Sequence, residues 1–333
     1  MTAPAVQADA RPAGRTPLLE VEGLRAHFAT PAGVVRAVDG VSFEVAAGAS
    51  VGIVGESGSG KSVTALSVTG LLEPPGRIAG GAIRFRGRDI TGLPDAKLRE
   101  LRGRDIGLVF QDPMAALNPV YRVGEQIAEA IRAHNRISRK EALRSATELL
   151  RAVGIPAPER RVHDYPKSMS GGMRQRVVIA IAIANEPGLL ILDEPTTALD
   201  VTIQAQILEL IKDLRRRIGT AILLITHDIG VITDVCDEVI VMYGGKIMER
   251  AASRQLLDSP KHPYSAGLVA STPSSATKGK RLNVIAGSVT NPTRMPPGCP
   301  FSPRCPHAMD RCQEMPPTKQ LPDGRYVACW LYE

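Results

Sequence analysis

The runs at residues 50–54, 106–110, 189–192 and 221–225 are short and apolar, with little polar alternation. Unbroken runs of that length suit strands of a parallel sheet covered on both faces. Helical spacing fills the intervals. Over 139–153 the residues Ala142, Ala146, Leu149, Leu150 and Val153 share one face, and Ser138 with Glu141 predicts a capping box at its start. After Asp200, residues Ile203, Ile207, Leu210, Ile211, Leu214 and Ile218 share another face, and Gly219 ends that helix. Strands alternating with helices predict an α/β fold. Ahead of this region, 18–45 reads as antiparallel strands with turns at Pro31-Ala32-Gly33 and Asp39-Gly40. From about 256 onward the chain is Pro-rich and irregular, and residues 1–16, rich in Ala and Pro, read as a disordered tail. The longest apolar run, 177–184, falls far short of the roughly 18 residues a membrane helix needs.

Of 333 residues, 44% are hydrophobic and 23% charged, the balance of a chain with a real core, which excludes dominant disorder. Lys and Arg number 41 against 34 Asp and Glu, a formal charge of +7 that suits polyanionic partners such as nucleotides, nucleic acid or lipid headgroups. The basic residues are scattered and aromatics make up only 4%, so no nucleic acid is expected as a partner. The N-terminal segment lacks the apolar core of a signal peptide, and a cytosolic placement is expected. Four of the five cysteines, Cys299, Cys305, Cys312 and Cys329, crowd into the end of the chain. In a cytosolic protein such crowding points to a metal rather than to disulfides. Cys236 stands apart and reads as a small buried residue.

The chemistry is most legible at Gly55-Glu56-Ser57-Gly58-Ser59-Gly60-Lys61-Ser62, which follows the run at 50–54 and opens a helical pattern over 61–71. Glycines at that spacing let backbone N–H groups curl around phosphate oxygens, and the helix N-terminus adds partial positive charge. Lys61 is placed to reach the β- and γ-phosphates of a nucleotide, and the Ser62 hydroxyl to ligate Mg²⁺. The run at 189–192 ends in Asp193 and Glu194. Beside a phosphate loop, Asp193 reads as a Mg²⁺ holder and Glu194 as the general base for an attacking water.

A further motif, Ser170-Gly171-Gly172-Met173-Arg174-Gln175-Arg176, resembles the signature of ATP-binding cassette (ABC) ATPases, with Met169 and Met173 replacing the family's usual Leu and Gln. Its companions stand in the family's order. Gln111, in Phe110-Gln111-Asp112-Pro113, resembles the glutamine that senses the γ-phosphate through Mg²⁺ and meets the membrane partner. Thr197-Ala198-Leu199-Asp200 resembles the D-loop, and His227, in Thr226-His227-Asp228, the switch histidine. Phe28 is a candidate for the aromatic that stacks on adenine, with a plain core position as the alternative. The resemblance implies a cassette over 17–255 with a RecA-like core, an antiparallel β-subdomain and a helical subdomain near 113–180. It also implies a head-to-tail dimer in which Ser170, Gly171 and Gly172 of one chain close on ATP held by the other. Ser170 lies only 109 positions after Lys61, leaving no room for the long coiled coil of DNA-repair members, and one cassette is present where translation-type members carry two. An importer's ATPase subunit is therefore expected.

The stretches His163-Asp164-Tyr165-Pro166, His262-Pro263-Tyr264, Pro296-Pro297-Gly298-Cys299-Pro300-Phe301 and Pro303-Arg304-Cys305-Pro306 resemble the dipeptide/oligopeptide branch of these ATPases. Relatives in that branch also serve nickel and other small solutes. The resemblance implies a second, paralogous ATPase, two transmembrane permease subunits and an extracytoplasmic substrate-binding protein as partners, at the cytoplasmic face of the cell membrane. Within the extension over 256–333, the cysteine spacing matches neither common zinc ribbons nor the usual ferredoxins. In relatives of the branch such a cysteine set is associated with a [4Fe–4S] cluster, which is the expectation here; Zn²⁺ and free structural thiols are the alternatives.

Overall fold

The computed structural model describes residues 17–197, 199–272, 283–290, 292–293 and 295–332. The tail expected at 1–16 and Ala198 of the D-loop motif lie outside the described residues.

Two sheets organise the described residues. The first is antiparallel, in the order β2-β1-β4-β5, built from β1 (Pro17–Thr30), β2 (Gly33–Ala46), β4 (Gly76–Phe85) and β5 (Arg88–Asp89). The turn expected at Pro31-Ala32-Gly33 joins β1 to β2, pairing Thr30 with Gly33. The turn expected at Asp39-Gly40 is absent. There β2 runs on, and the register steps from Leu24↔Val41 to Arg25↔Asp39. Gly40, at φ 80, is the extra residue of a bulge. A glycine at positive φ serves a bulge as well as a turn, and the flanking apolar residues on both sides favoured continued pairing.

The second sheet has the order β11-β12-β10-β9-β3-β8-β7-β6. Strands β6 (Ile106–Val109), β7 (Leu189–Asp193), β8 (Ala221–Thr226), β3 (Ser50–Val54) and β9 (Glu238–Tyr243) are mutually parallel. Strands β10 (Lys246–Ala252), β12 (Tyr326–Val327) and β11 (Lys319–Gln320) extend one edge antiparallel. Along β7, Leu190 and Leu192 join a core formed with the helices, while Leu189 and Ile191 join a second core against the antiparallel sheet. Burial on both faces is why these strands read as unbroken apolar runs. Phe110, expected in the strand, lies just past it and is 44% exposed.

Between β6 and its neighbour β7 the chain inserts helices Pro113–Ala116, Val123–Arg132, Arg139–Ala152, Pro158–Arg161 and Gly171–Ala182. Ser138 and Glu141 form the capping box, and Ala142, Ala146 and Leu150 are buried. Helix Val201–Ile218 starts on the Asp200 side chain, which accepts from the Ile203 N–H at 2.9 Å, and stops at Gly219 with φ 73. Among the described residues, no helix is long and apolar enough to cross a membrane.

The end of the chain is less irregular than its composition suggests. Helix Pro263–Ala270 and the strands β11 and β12 fasten it to the main sheet. Tyr243 of β9 meets Tyr264 and Phe301 edge-on, with ring centroids 4.7 and 5.3 Å away. The fully buried Glu249 of β10 accepts the Lys261 and His262 N–H groups at 2.9 and 2.8 Å, so the extension supplies the donors that a buried carboxylate requires.

Candidate functional site

Strand β3 delivers the chain into the loop at 55–60, and helix Lys61–Thr69 leaves it. The loop is tightly walled. A side chain at Gly55 would stand 2.2 Å from the Met242 carbonyl oxygen, and one at Gly60 2.3 Å from that of Ala37. Gly58 and Gly60 also take φ of 80 and 100. Ser57 and Gly58 are exposed, whereas Ser59 is buried and its carbonyl accepts from the Gly245 N–H at 3.1 Å. Lys61 is 5% exposed, and its Nζ donates to the carbonyls of Gly55 (2.8 Å) and Glu56 (2.9 Å) and to Ser59 Oγ (3.4 Å). Burial lowers its pKa, while the negative charges of Glu194, Asp193 and Glu56 act in the opposite sense.

Ser62 Oγ donates to Asp193 Oδ1 at 3.0 Å, joining the helix after the loop to the end of β7. Burial raises the Asp193 pKa, with the Ser62 bond and Lys61 opposing. Glu194 follows at φ 47, a left-handed backbone rare for a non-glycine residue, and its N–H bonds the Ile225 carbonyl of β8 at 2.8 Å. That strained bend turns its carboxylate out of the sheet. Glu194 Oε2 accepts from Gln111 Nε2 at 3.0 Å and from Thr197 Oγ1 at 2.8 Å, and stands 3.5 Å from His227 Nδ1. Gln111, Glu194 and His227, distant in sequence, thus meet at the C-terminal ends of β6, β7 and β8. The sequence marks Thr197 only as part of the D-loop motif; its position three residues after Glu194, where a turn brings it back, is the signal for this second contact.

Ser170 caps helix Gly171–Ala182, its Oγ accepting from the Met173 N–H at 3.3 Å. Gly172 is packed so closely on Ile203 that a Cβ would lie 2.5 Å from its methyl, and Gly171 faces Leu199. Gly171 and Gly172 therefore rest on Leu199 and on the helix that Asp200 caps. Phe28, half-buried on β1, lies across Gly76 of β4, where an added Cβ would be 2.6 Å from the ring. Cys299, Cys305, Cys312 and Cys329 are free thiols that line one small cavity together with His262 and Trp330. Burial and the neighbouring thiols push Cys299 up to about 11, and burial raises Cys305 and Cys329. Among the described residues, no three of His, Cys, Asp or Glu are gathered closely enough to hold a single metal ion. Cys236, after helix Ile229–Val235, is buried.

A glycine loop between a parallel strand and a helix, with an acidic pair at the end of a strand in the same sheet, defines a P-loop nucleotide hydrolase. Residues 38–197 match the family described as ABC transporter, and 248–312 that described as oligopeptide/dipeptide transporter, C-terminal region. The oligopeptide transport ATP-binding protein of Salmonella typhimurium is 50% identical, over 94% of this chain and 93% of its own. The dipeptide transport ATP-binding protein of Bacillus subtilis is 46% identical over 95% of each. A dimeric ATP-binding cassette solved in a post-hydrolysis state with ADP and phosphate is 28% identical, with a TM-score of 0.64 over 71% of this chain and 99% of that one. The chain belongs to the ABC transporter ATP-binding family, in its oligopeptide/dipeptide branch, and its fold is that family's ATPase cassette.

Proposed function

We propose that the chain is the ATP-hydrolysing subunit of a membrane importer of dipeptides or oligopeptides. The observation that carries this reading is the meeting of Gln111, Glu194 and His227 beside the phosphate loop, in a chain half identical to an oligopeptide transport ATP-binding protein. The N–H groups of residues 55–60 and Lys61 hold the β- and γ-phosphates of ATP, and Phe28 offers a face to adenine. Ser62 and Asp193 are adjacent hard oxygen donors, and with Gln111 they suit Mg²⁺, which supplies charge neutralisation at the phosphates. Glu194 takes the proton of the attacking water as its oxygen bonds the γ-phosphorus; ADP and phosphate leave. Gln111 and Thr197 fix the Glu194 carboxylate, and His227 faces the same phosphate.

The division into a cassette at 17–255, with helices near 113–180, and an extension at 256–333 belongs to the same proposal. So does assembly with a second, paralogous ATPase, two permeases and an extracytoplasmic binding protein at the cytoplasmic membrane face. In that dimer Ser170, Gly171 and Gly172 close on the partner's ATP and Asp200 on its D-loop. The four cysteines hold a [4Fe–4S] cluster in this reading. What supports this is that the four thiols line one small cavity and so are kept as neighbours, although among the described residues no three such groups are placed to hold a single metal ion.

The test is Glu194→Gln. It keeps ATP binding and lowers both ATP turnover and uptake of a labelled tripeptide, measured in vesicles carrying the assembled transporter, by about a hundredfold or more. Near-normal turnover removes Glu194 as the base; normal turnover of the wild-type complex without peptide uptake removes the peptide reading.

A further inference from the structure

Glu56 is the second residue of the phosphate loop, and each of its polar groups is committed. Its carbonyl accepts from Lys61 Nζ at 2.9 Å. The partners of its N–H and its carboxylate come from the end of the chain. The Glu56 N–H donates to Tyr264 Oη at 2.8 Å, 208 positions away, and its carboxylate takes two bonds from the Arg304 guanidinium, 248 positions away, at 2.5 and 3.1 Å.

Arg304 is built to stay there. Its side chain is 4% exposed and lies against the rings of Tyr243 and Phe301. Its remaining donors reach Tyr243 Oη at 3.2 Å, the Ala286 carbonyl at 2.9 Å and the Ile285 carbonyl at 3.3 Å. It ends the short 3₁₀ turn Ser302–Arg304, immediately before Cys305. A two-pronged, buried guanidinium–carboxylate pair is among the stronger polar contacts a protein makes.

A carboxylate is an odd resident of a loop that must receive a polyanion, since like charges at short range in a partly buried site repel strongly. The geometry points to Arg304, together with Tyr264, as a positioning residue for the phosphate loop: it neutralises Glu56 and fixes the loop's second residue, so the C-terminal extension sets part of the affinity for ATP. This rests on the reading of the loop as an ATP site.

The test uses the full chain, calorimetry with Mg²⁺ and a non-hydrolysable ATP analogue, and steady-state ATPase kinetics. Arg304→Met leaves Glu56 charged and unpaired, and is expected to weaken analogue binding about tenfold and raise KM similarly, with kcat changed less than about threefold. Adding Glu56→Gln to Arg304→Met removes the stranded charge and recovers most of the affinity, which a merely structural arginine does not permit. A folded Arg304→Met variant that binds within about twofold of wild type overturns the proposal, as does a double variant no tighter than the single. Where Arg304→Met does not fold, Tyr264→Phe, which removes only the acceptor of the Glu56 N–H, is expected to weaken binding several-fold, and unchanged affinity overturns the proposal. Lys61→Ala separates the two readings. If wild type and Lys61→Ala bind the analogue equally, the ATP site itself is misassigned; if only Lys61→Ala loses binding while Arg304→Met keeps it, the clamp alone fails.

Discussion

Gly60→Ala tests why the phosphate loop needs its last glycine. The residue sits at φ 100, ψ 1 immediately before helix Lys61–Thr69. A Cβ there lies 2.3 Å from the Ala37 carbonyl oxygen of β2, which is 0.7 Å inside the 3.0 Å floor for such contacts. Two costs add: about 1–2 kcal/mol for a left-handed backbone with a side chain, and about 1–3 kcal/mol for relieving the overlap by moving backbone. Gly58→Ala is the matched control. Its φ of 80 carries the first cost, but nothing lies within 4 Å of its added Cβ, so the second is missing. Urea unfolding without nucleotide should therefore show Gly60→Ala losing about 2–5 kcal/mol and Gly58→Ala about 1–2 kcal/mol. Because the clash lifts the loop away from β2, Gly60→Ala should also bind ATP about a hundredfold more weakly. Equal stability losses for the two variants would refute the argument that close approach to Ala37 demands the glycine.

Lys61→Ala removes an ammonium held by three groups of its own loop, and nucleotide binding should fall below detection by calorimetry at millimolar ATP. His262 is buried, and burial lowers its pKa to about 3, so the unfolded chain takes up a proton near pH 6.5 that the native chain refuses. Stability rises with pH across that window and is lost as pH falls below about 6.5; His262→Asn, which keeps an acceptor for the Tyr264 N–H, should lose about 2 kcal/mol less than wild type between pH 7 and 5. Cys305→Ser should lower the iron and sulfide content of anaerobically purified chain, with the visible absorbance, to below half of wild type; unchanged metal content with unchanged folding would count against the cluster.

The parallel strands were legible because burial on both faces leaves no polar positions to break the pattern. Leu189, Leu190, Ile191 and Leu192 are all fully buried although they feed two different cores. The helix starting at Arg139 was legible through a four-residue device, Ser138 with Glu141, that acts locally. Where a residue type serves two geometries the pattern misled. Gly40 suggests a turn in the sequence and is a bulge in the fold, because positive φ suits both and only the pairing of Arg25 with Asp39 decides. The strands β11 and β12 leave no mark in the sequence pattern. Each is two residues long, and they exist because β10 offers an edge, not because of any propensity of Lys319-Gln320 or Tyr326-Val327.

The site divides the same way. Residues 55–62 form a contiguous motif whose spacing is itself the chemistry, and it was readable at once. The meeting of Gln111, Glu194 and His227 was readable only as a resemblance, since their closeness depends on β6, β7 and β8 lying side by side. Glu56 was legible as a loop residue but not as a charged one that needs a counterion. Its partners, Tyr264 and Arg304, reach it because Tyr243 ends β9 next to β3 and gathers Tyr264 and Phe301 around its ring. An appendage with no role at the loop has no reason to bury an arginine there, since an unpaired guanidinium under the protein surface is costly. The burial of Arg304 is explained by Glu56, and the tolerance of Glu56 in an anion-binding loop by Arg304. Each residue makes physical sense only with the other, which ties the fold of the Cys-rich end to the first step of the reaction.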